Sequence, residues 1–198
     1  MKQENKQKYH HGDLRLALIK AAIEMIHQQG IDQLTMRNLS EWVGVSRTAA
    51  YRHFADKADL LTATAIEGFK MFSQALKAAR LDNSVDELHR FRNMGQAYIR
   101  FAVENSAYYR LMFGDIVVQK NEALQRACDL SFNELLAMIE QLQRIDKIAN
   151  DDAKLQAIYI WSLMHGLASL IIDNKLHADV DIDGLMVFID HSITKSLI

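Results

Sequence analysis

Apolar residues recur every three or four positions over most of the chain, which is the spacing of amphipathic helices. In the first such segment Leu14, Leu18 and Met25 share one face, and Gly30 is a natural stop signal. This pattern predicts a helix from Asp13 to Gln29.

Two short helices joined by a tight turn are predicted next. Thr35 is a good N-cap for a helix from Met36 to Val43, and Ser46 is a good N-cap for a second helix through about His53. Gly44 lies between them. Two short helices with a glycine-containing turn are typical of a helix-turn-helix.

The remaining periodic segments also predict helices. A long helix begins after the cap Asp56 and runs to Arg80, so it connects the front helices to the rest of the chain. Five more helices are predicted, over residues 84–104, 106–114, 121–144, 151–173 and 183–198. A capping box at Ser84 would begin the first of these, and Ser106 would cap the second. The fold is therefore predicted to be all-α, with about nine helices in two domains, residues 1–56 and 57–198.

Composition supports this prediction and limits the classes of function. The chain has 198 residues, of which 49% are apolar, with no proline and only eight glycines, so it can bury a core but lacks the usual turn residues of β structure. The single Cys128 excludes an intramolecular disulfide and a cysteine-rich zinc site. Because no signal-like apolar segment follows Met1, we expect a cytoplasmic protein.

Residues 155–172 contain no Asp, Glu, Lys or Arg, and this length is near the minimum for a membrane span. The segment nevertheless contains Ser162 and His165, and acidic residues flank it closely at Asp152 and Asp173. We expect a buried helix, at a subunit interface, and no membrane association.

Only the front of the chain is slightly basic. Residues 1–60 carry nine Lys and Arg against seven Asp and Glu, whereas the remainder carries 14 against 18. His10 and His11 lie with three lysines in a short arm before the first helix. The sequence leaves open whether this arm touches DNA or is a solvated tail.

The second short helix has the features of a recognition helix. Its first turn carries Ser46, Arg47, Thr48 and Ala49, whose short or hydrogen-bonding side chains suit base edges in the major groove. Phosphate contacts are expected from residues that flank this turn: Thr35, Tyr51, Arg52, His53 and Lys57.

The front 60 residues closely resemble the DNA-binding domain of TetR-family regulators. The resemblance rests on an ordered set of positions: Gly30, Leu34-Thr35, Val43-Gly44-Val45-Ser46, Tyr51, His53-Phe54, Lys57 and Leu60-Leu61. Ala50 departs from the pattern, since relatives usually have Leu or Pro there. Residues 9–15, together with Trp161, His165 and Gly166, resemble one branch of the family with a Trp-His-Gly type C-terminal domain.

This resemblance implies a homodimer whose larger domain binds a small hydrophobic or amphipathic effector of unknown identity, with no other cofactor. The expected ligand-binding residues are Met94, Tyr98, Phe101, Tyr109, Met112, Phe113, Phe132, Met138, Trp161 and His165. The last two helices would form a four-helix bundle with their twofold mates through Leu163, Leu167, Leu170, Ile171, Leu185, Phe188 and Ile189. Ordinary core packing is the competing interpretation for the Met and aromatic residues.

The resemblance further implies a repressor on a palindromic operator. A ligand that binds better to a conformation with the wrong spacing of the recognition helices must weaken DNA binding, by the same factor by which DNA weakens ligand binding. The long helix over residues 56–80 would transmit the movement between the two domains. A regulator controlled by a protein partner, or without a small ligand, is the main alternative. An enzyme is disfavoured because no nucleophile, base and orienting residue occur together, and the histidine spacings show no metal-ligand motif.

Overall fold

The computed structural model describes residues 14–114, 121–177 and 179–197. The arm with His10 and His11 lies outside these ranges. Within them the chain forms nine α-helices and no strand, which confirms the all-α prediction. The helices are α1 (Leu14–Gln29), α2 (Met36–Val43), α3 (Arg47–Tyr51), α4 (Lys57–Arg80), α5 (Glu87–Glu104), α6 (Ser106–Phe113), α7 (Glu122–Arg144), α8 (Ala153–Ile172) and α9 (Ile182–Leu197).

Several helix starts differ from the sequence prediction. Asp86, not Ser84, caps α5 by accepting a hydrogen bond from the His89 backbone N–H, while the Ser84 hydroxyl donates to Asp82. Ser106 is the first residue of α6 and does not cap it. The recognition helix α3 ends at Tyr51, two residues before the predicted end, and a short 3₁₀ turn from Ile31 to Gln33 follows α1.

The front helices enclose a small hydrophobic core of their own. Leu18 and Met25 of α1, Leu39 of α2 and Phe54 are all nearly inaccessible to solvent. Ala50 is completely buried in this core, so a small side chain suffices at the position that departs from the family pattern. The front core also includes apolar residues of the first turns of α4 as far as residue 65, beyond the predicted domain boundary at residue 56.

A second, larger core lies among α4 to α9, with α4 packed against α5, α6 and α7. Gly68 permits the close approach of α4 and α6, because a Cβ atom there would lie 2.7 Å from the Met112 Sδ and 3.0 Å from the Tyr108 ring. Leu111 of α6 instead points into the front core, where it is 2% exposed. Helix α6 therefore contacts both parts of the chain.

Helix α8 is apolar on all sides and is long and apolar enough to cross a membrane by length and composition. A core helix can meet the same criterion. One face of α8, including Ile160 and Met164, packs in the second core. The opposite face exposes Leu155, Tyr159 and Leu163.

Candidate DNA-binding and ligand-binding sites

The helix-turn-helix is fixed by a side-chain cap on each of its helices. The Thr35 hydroxyl accepts a hydrogen bond from the Asn38 backbone N–H at 3.1 Å, and the Ser46 hydroxyl accepts one from Ala49 at 3.1 Å. Gly44 has a φ of 76°, a left-handed conformation that glycine adopts without strain. Thr35 thus fixes the start of α2, and Gly44 and Ser46 set the direction in which α3 leaves it.

Most of the predicted DNA-binding residues lie together on the accessible surface of this unit. The exposed ones are Thr35, Ser46, Arg47, Thr48, Tyr51, Arg52 and His53, whereas Ala49 is half-buried. The first turn of α3 therefore presents a guanidinium and two hydroxyl groups to solvent, which suits hydrogen bonding to base edges and phosphates.

Lys57 is already engaged within the protein. Its Nζ donates a hydrogen bond to the Ile31 carbonyl oxygen at 2.8 Å, and the residue is half-buried. The lysine thus ties the start of α4 to the turn that follows α1. An ammonium group has three donors, so a phosphate contact is compatible with this structural bond.

Two features of the front domain were not predicted from the sequence. Trp42 on α2 is 41% exposed, which is unusual for so large an apolar side chain. The Arg15 guanidinium lies 5.1 Å from the centre of the Phe54 ring, a cation–π contact that joins α1 to the segment between α3 and α4. The position of Trp42 among polar residues of α2 was the available signal for its exposure.

The predicted ligand-binding aromatics largely fill one another's space. Phe113 packs against His165 and Tyr109 with ring centres 4.8 and 4.7 Å apart, and Phe132 packs against Trp161 at 5.7 Å. Phe101 is buried against Phe72, Met112 lies against Gly68, and Met138 is completely buried. This part of the expected pocket is packed core, as the competing interpretation proposed.

A chain of polar groups crosses this aromatic core. The Tyr98 hydroxyl lies 3.0 Å from the Tyr109 hydroxyl, which in turn lies 2.7 Å from the Nδ1 of His165. Burial raises the pKa of both tyrosines above the ordinary value and lowers the pKa of His165. The three residues are thus neutral hydrogen-bonding groups near pH 7, and they connect α5, α6 and α8.

An open cleft lies beside this core, between α5, α8 and α9. Its volume is about 1090 Å³, and its floor is mostly apolar. Of the predicted ligand-binding residues, only Met94, Tyr98 and Trp161 line it. Across the cleft, Arg92 Nε of α5 lies 2.7 Å from the Asp190 carboxylate of α9. A ligand-sized cavity therefore exists, displaced towards α9 from the predicted position.

The residues predicted for the subunit bundle divide by exposure. Leu163, Leu170 and Phe188 are exposed in the single chain, at 40%, 42% and 66%. Leu185, Ile171 and Ile189 are half-buried. The position of Leu167 differs from the prediction. Leu167 is 6% exposed and lies inside the second core, because it projects from the inner face of α8. Val187, at 71%, is an exposed member of this surface that the sequence analysis did not identify.

Within the described parts of the chain, no three His, Cys, Asp or Glu residues converge as a metal site.

An N-terminal helix-turn-helix with an accessible second helix, joined to a larger helical domain, defines a DNA-binding regulator. The family models agree with this class and make it specific. Residues 18–64 match bacterial regulatory proteins of the tetR family, and residues 91–189 match the tetracyclin repressor-like C-terminal domain. The chain therefore belongs to the TetR family, whose members are DNA-binding transcriptional regulators and not enzymes.

Individual proteins are similar to this chain in sequence or in fold. The nucleoid occlusion factor SlmA of Vibrio vulnificus is 29% identical over 139 residues, which cover 68% of each chain. A Rhodococcus sp. RHA1 protein of unknown function has a TM-score of 0.86 at 27% identity, covering 97% of this chain and 99% of that one. The TetR-family regulator PfmR of Thermus thermophilus shares the fold, with a TM-score of 0.69 at 17% identity over 90% and 97% of the two chains.

Proposed function

We propose that this DNA-binding regulator is a cytoplasmic homodimer that represses transcription from a palindromic operator and is released by a small apolar or amphipathic ligand. The observation that carries the ligand response is the cleft of about 1090 Å³ in the helical domain. Its volume and apolar floor are typical of small-molecule sites. No further cofactor is part of the proposal.

The exposed apolar surface of α8 and α9 supports the dimer. Leu163, Leu170, Val187 and Phe188 are apolar side chains that are 40%, 42%, 71% and 66% exposed in the single chain. Exposed apolar side chains on two neighbouring helices support an interaction site there, and twofold pairing would bury them on both copies. Pairing would also hold two copies of α3 about one helical turn of DNA apart, ~34–36 Å.

Helix α6 supplies a physical route between the ligand domain and the front domain. Tyr109 is bonded to His165 of α8, whereas Leu111, two residues later, is buried in the front core. Arg110 between them contacts Asp173 and the Ile172 carbonyl oxygen at the end of α8. A shift of α8 would therefore displace α6 and, with it, the front domain relative to its twofold mate.

This function is tested by mapping the bound chromosomal sites in the native host and measuring transcripts with and without the protein. Repression predicts a palindrome at the bound promoters and a rise in the adjacent transcripts when the gene is deleted. Arg47→Ala should weaken operator binding ~10- to 100-fold, because one bidentate base contact is worth ~1–3 kcal/mol. Arg126→Ala, an exposed arginine on α7, is the matched control. A fall in the adjacent transcripts on deletion would indicate an activator.

A second candidate is a regulator that responds to a protein partner without a small ligand. The similarity to nucleoid occlusion factors favours it, since these relatives are named for a role other than control of transcription. This candidate predicts bound sites spread along the chromosome with no change in neighbouring transcripts when the gene is deleted.

A further inference from the structure

The cleft between α5, α8 and α9 has two unlike walls. On α5, the residues Arg92, Gln96 and Arg100 all line the cleft, and their spacing of four residues places them in one row along the helix. With a rise of 1.5 Å per residue, the two guanidinium groups originate ~12 Å apart. One wall therefore offers a row of N–H donors over three successive helical turns.

The α9 wall is different. Its acidic lining residues are Asp183, in the first turn of the helix, and Asp190, two turns later. Met186 and Val187, which also line the cleft, lie between them. The α9 wall also carries His191, Thr194 and Lys195 towards its end, beyond the two carboxylates, and Glu104 is the acidic lining residue of α5.

The cationic lining residues are Arg92, Arg100 and Lys195, and of these Arg92 is held across the cleft by its ion pair with Asp190. Its side chain is 41% exposed, whereas that of its partner Asp190 is 27% exposed. A guanidinium carries five N–H donors in a planar fork that matches a carboxylate, so one ion pair does not exhaust it. Below this ion pair, Met94, Trp161 and Met164 supply the adaptable apolar floor.

We propose that the effector of this cleft is an amphipathic carboxylic acid, whose apolar chain lies on the floor and whose carboxylate pairs with Arg92. The proposal rests on the ligand response proposed above and specifies its chemistry. The ligand carboxylate shares or replaces Asp190 at the guanidinium, and so it acts on the ion pair that joins α9 to α5. Because α9 also carries the exposed surface with Val187 and Phe188, occupancy of the cleft acts directly on the helix expected to pair with a second copy.

The experiment uses tryptophan fluorescence of the full chain. The sequence has two tryptophans, so Trp42→Phe leaves only Trp161, which lines the cleft. Dodecanoate, dodecanol and dodecylamine are titrated into this variant below their micelle concentrations. The proposal predicts that dodecanoate binds at least ~10-fold more tightly than dodecanol, because a hydrogen-bonded ion pair is added to the same apolar contact.

Variants identify the anion-binding group. Arg92→Gln should reduce dodecanoate affinity ~10- to 100-fold and leave dodecanol affinity unchanged within ~2-fold. Arg126→Gln, at an exposed arginine on α7 that is also in an ion pair, should change neither affinity. Asp190→Asn keeps Arg92 and removes its competitor, so dodecanoate should bind at least as tightly as before. Circular dichroism confirms that each variant is folded.

Three results would overturn the proposal: no response of Trp161 to dodecanoate, equal affinities for the acid and the alcohol, or a preference for dodecylamine that Asp190→Asn abolishes. The same protein is then titrated with labelled operator DNA. Tight DNA binding without a response to dodecanoate contradicts the ligand assignment and leaves the regulator intact. Absence of DNA binding contradicts the proposed function, whatever the cleft binds.

Discussion

The hydroxyl of Tyr109 on α6 lies 2.7 Å from the Nδ1 of His165 on α8, inside an otherwise aromatic core. Phe113 packs on both rings, and the Tyr98 hydroxyl continues the chain to α5. Buried polar groups are stable only when they are paired, so these bonds fix the relative position of three helices.

Tyr109→Phe should lower the free energy of unfolding by ~1–3 kcal/mol, because it leaves the Tyr98 hydroxyl and the His165 ring nitrogen without this partner in a buried site. Urea unfolding followed by circular dichroism measures the change. Tyr159→Phe, on the exposed face of α8, is the matched control and should be close to neutral. Equal stability of the two variants would show that the chain of hydroxyls does not hold the helices together.

Acid should destabilise the protein through His165. Burial lowers the pKa of His165 in the folded state, so the unfolded chain binds its proton more readily. The contribution of this histidine is fully present above its unfolded pKa of about 6.5 and is lost as the pH falls towards the folded pKa. His165→Gln should therefore flatten the dependence of unfolding free energy on pH below about 6.5. An unchanged slope in this variant would contradict the prediction.

Two helical glycines should respond oppositely to alanine. At Gly68 a Cβ would meet Met112 Sδ at 2.7 Å, and we expect the ~1–3 kcal/mol strain of overpacking to exceed the gain in helix propensity of up to ~1 kcal/mol. At Gly95 the nearest atom is Met164 Cε at 3.7 Å, so Gly95→Ala should stabilise the chain by up to ~1 kcal/mol. Urea midpoints measure both. Stabilisation by Gly68→Ala would mean that α4 and α6 are not held in close contact.

Phe188→Glu should convert the proposed dimer into a folded monomer. The side chain is 66% exposed, so a charge there remains solvated in the single chain but would be costly in an apolar subunit interface. Sedimentation velocity gives the mass, and circular dichroism checks the helices. Leu130→Glu, a similarly exposed leucine on α7 at 58%, should remain dimeric. If Phe188→Glu sediments as wild type does, α9 is not the centre of the interface.

The sequence predicts helix boundaries well where both ends carry a local signal. The bounds of α2 match the prediction because Thr35 caps its start and Gly44 adopts the left-handed conformation at its end. The predicted start of α5 was wrong because Ser84 and Asp86 are both possible caps, two residues apart. In the structure the Ser84 hydroxyl is bound to Asp82, and Asp86 caps the helix. Local sequence does not decide between two such caps.

The lining of the cleft was harder to predict, for a physical reason. Helical spacing identifies the Met and aromatic residues that face inward, but it does not distinguish those that fill one another's space from those that line a cavity. Phe113 and Phe132 pack against neighbouring rings and do not line the cleft, whereas Trp161 both packs against these rings and lines the cleft. The difference depends on how far α9 lies from α5, which is a tertiary distance. In the DNA-binding domain most of the predicted DNA-binding residues lie within residues 46–53, so the sequence alone was sufficient to group them.

The central claim, that a twofold dimer of this chain recognises DNA by sequence, is tested most directly by selecting bound duplexes from a random library and titrating the selected duplex at several salt concentrations. Such a dimer should select a palindrome whose half-sites are about one helical turn apart, bound ~10³-fold or more tightly than unrelated DNA, with affinity falling as salt rises. Protein refolded from denaturant, and thus freed of any bound small molecule, should give the same palindrome. Failure of both preparations to enrich any sequence would contradict the claim.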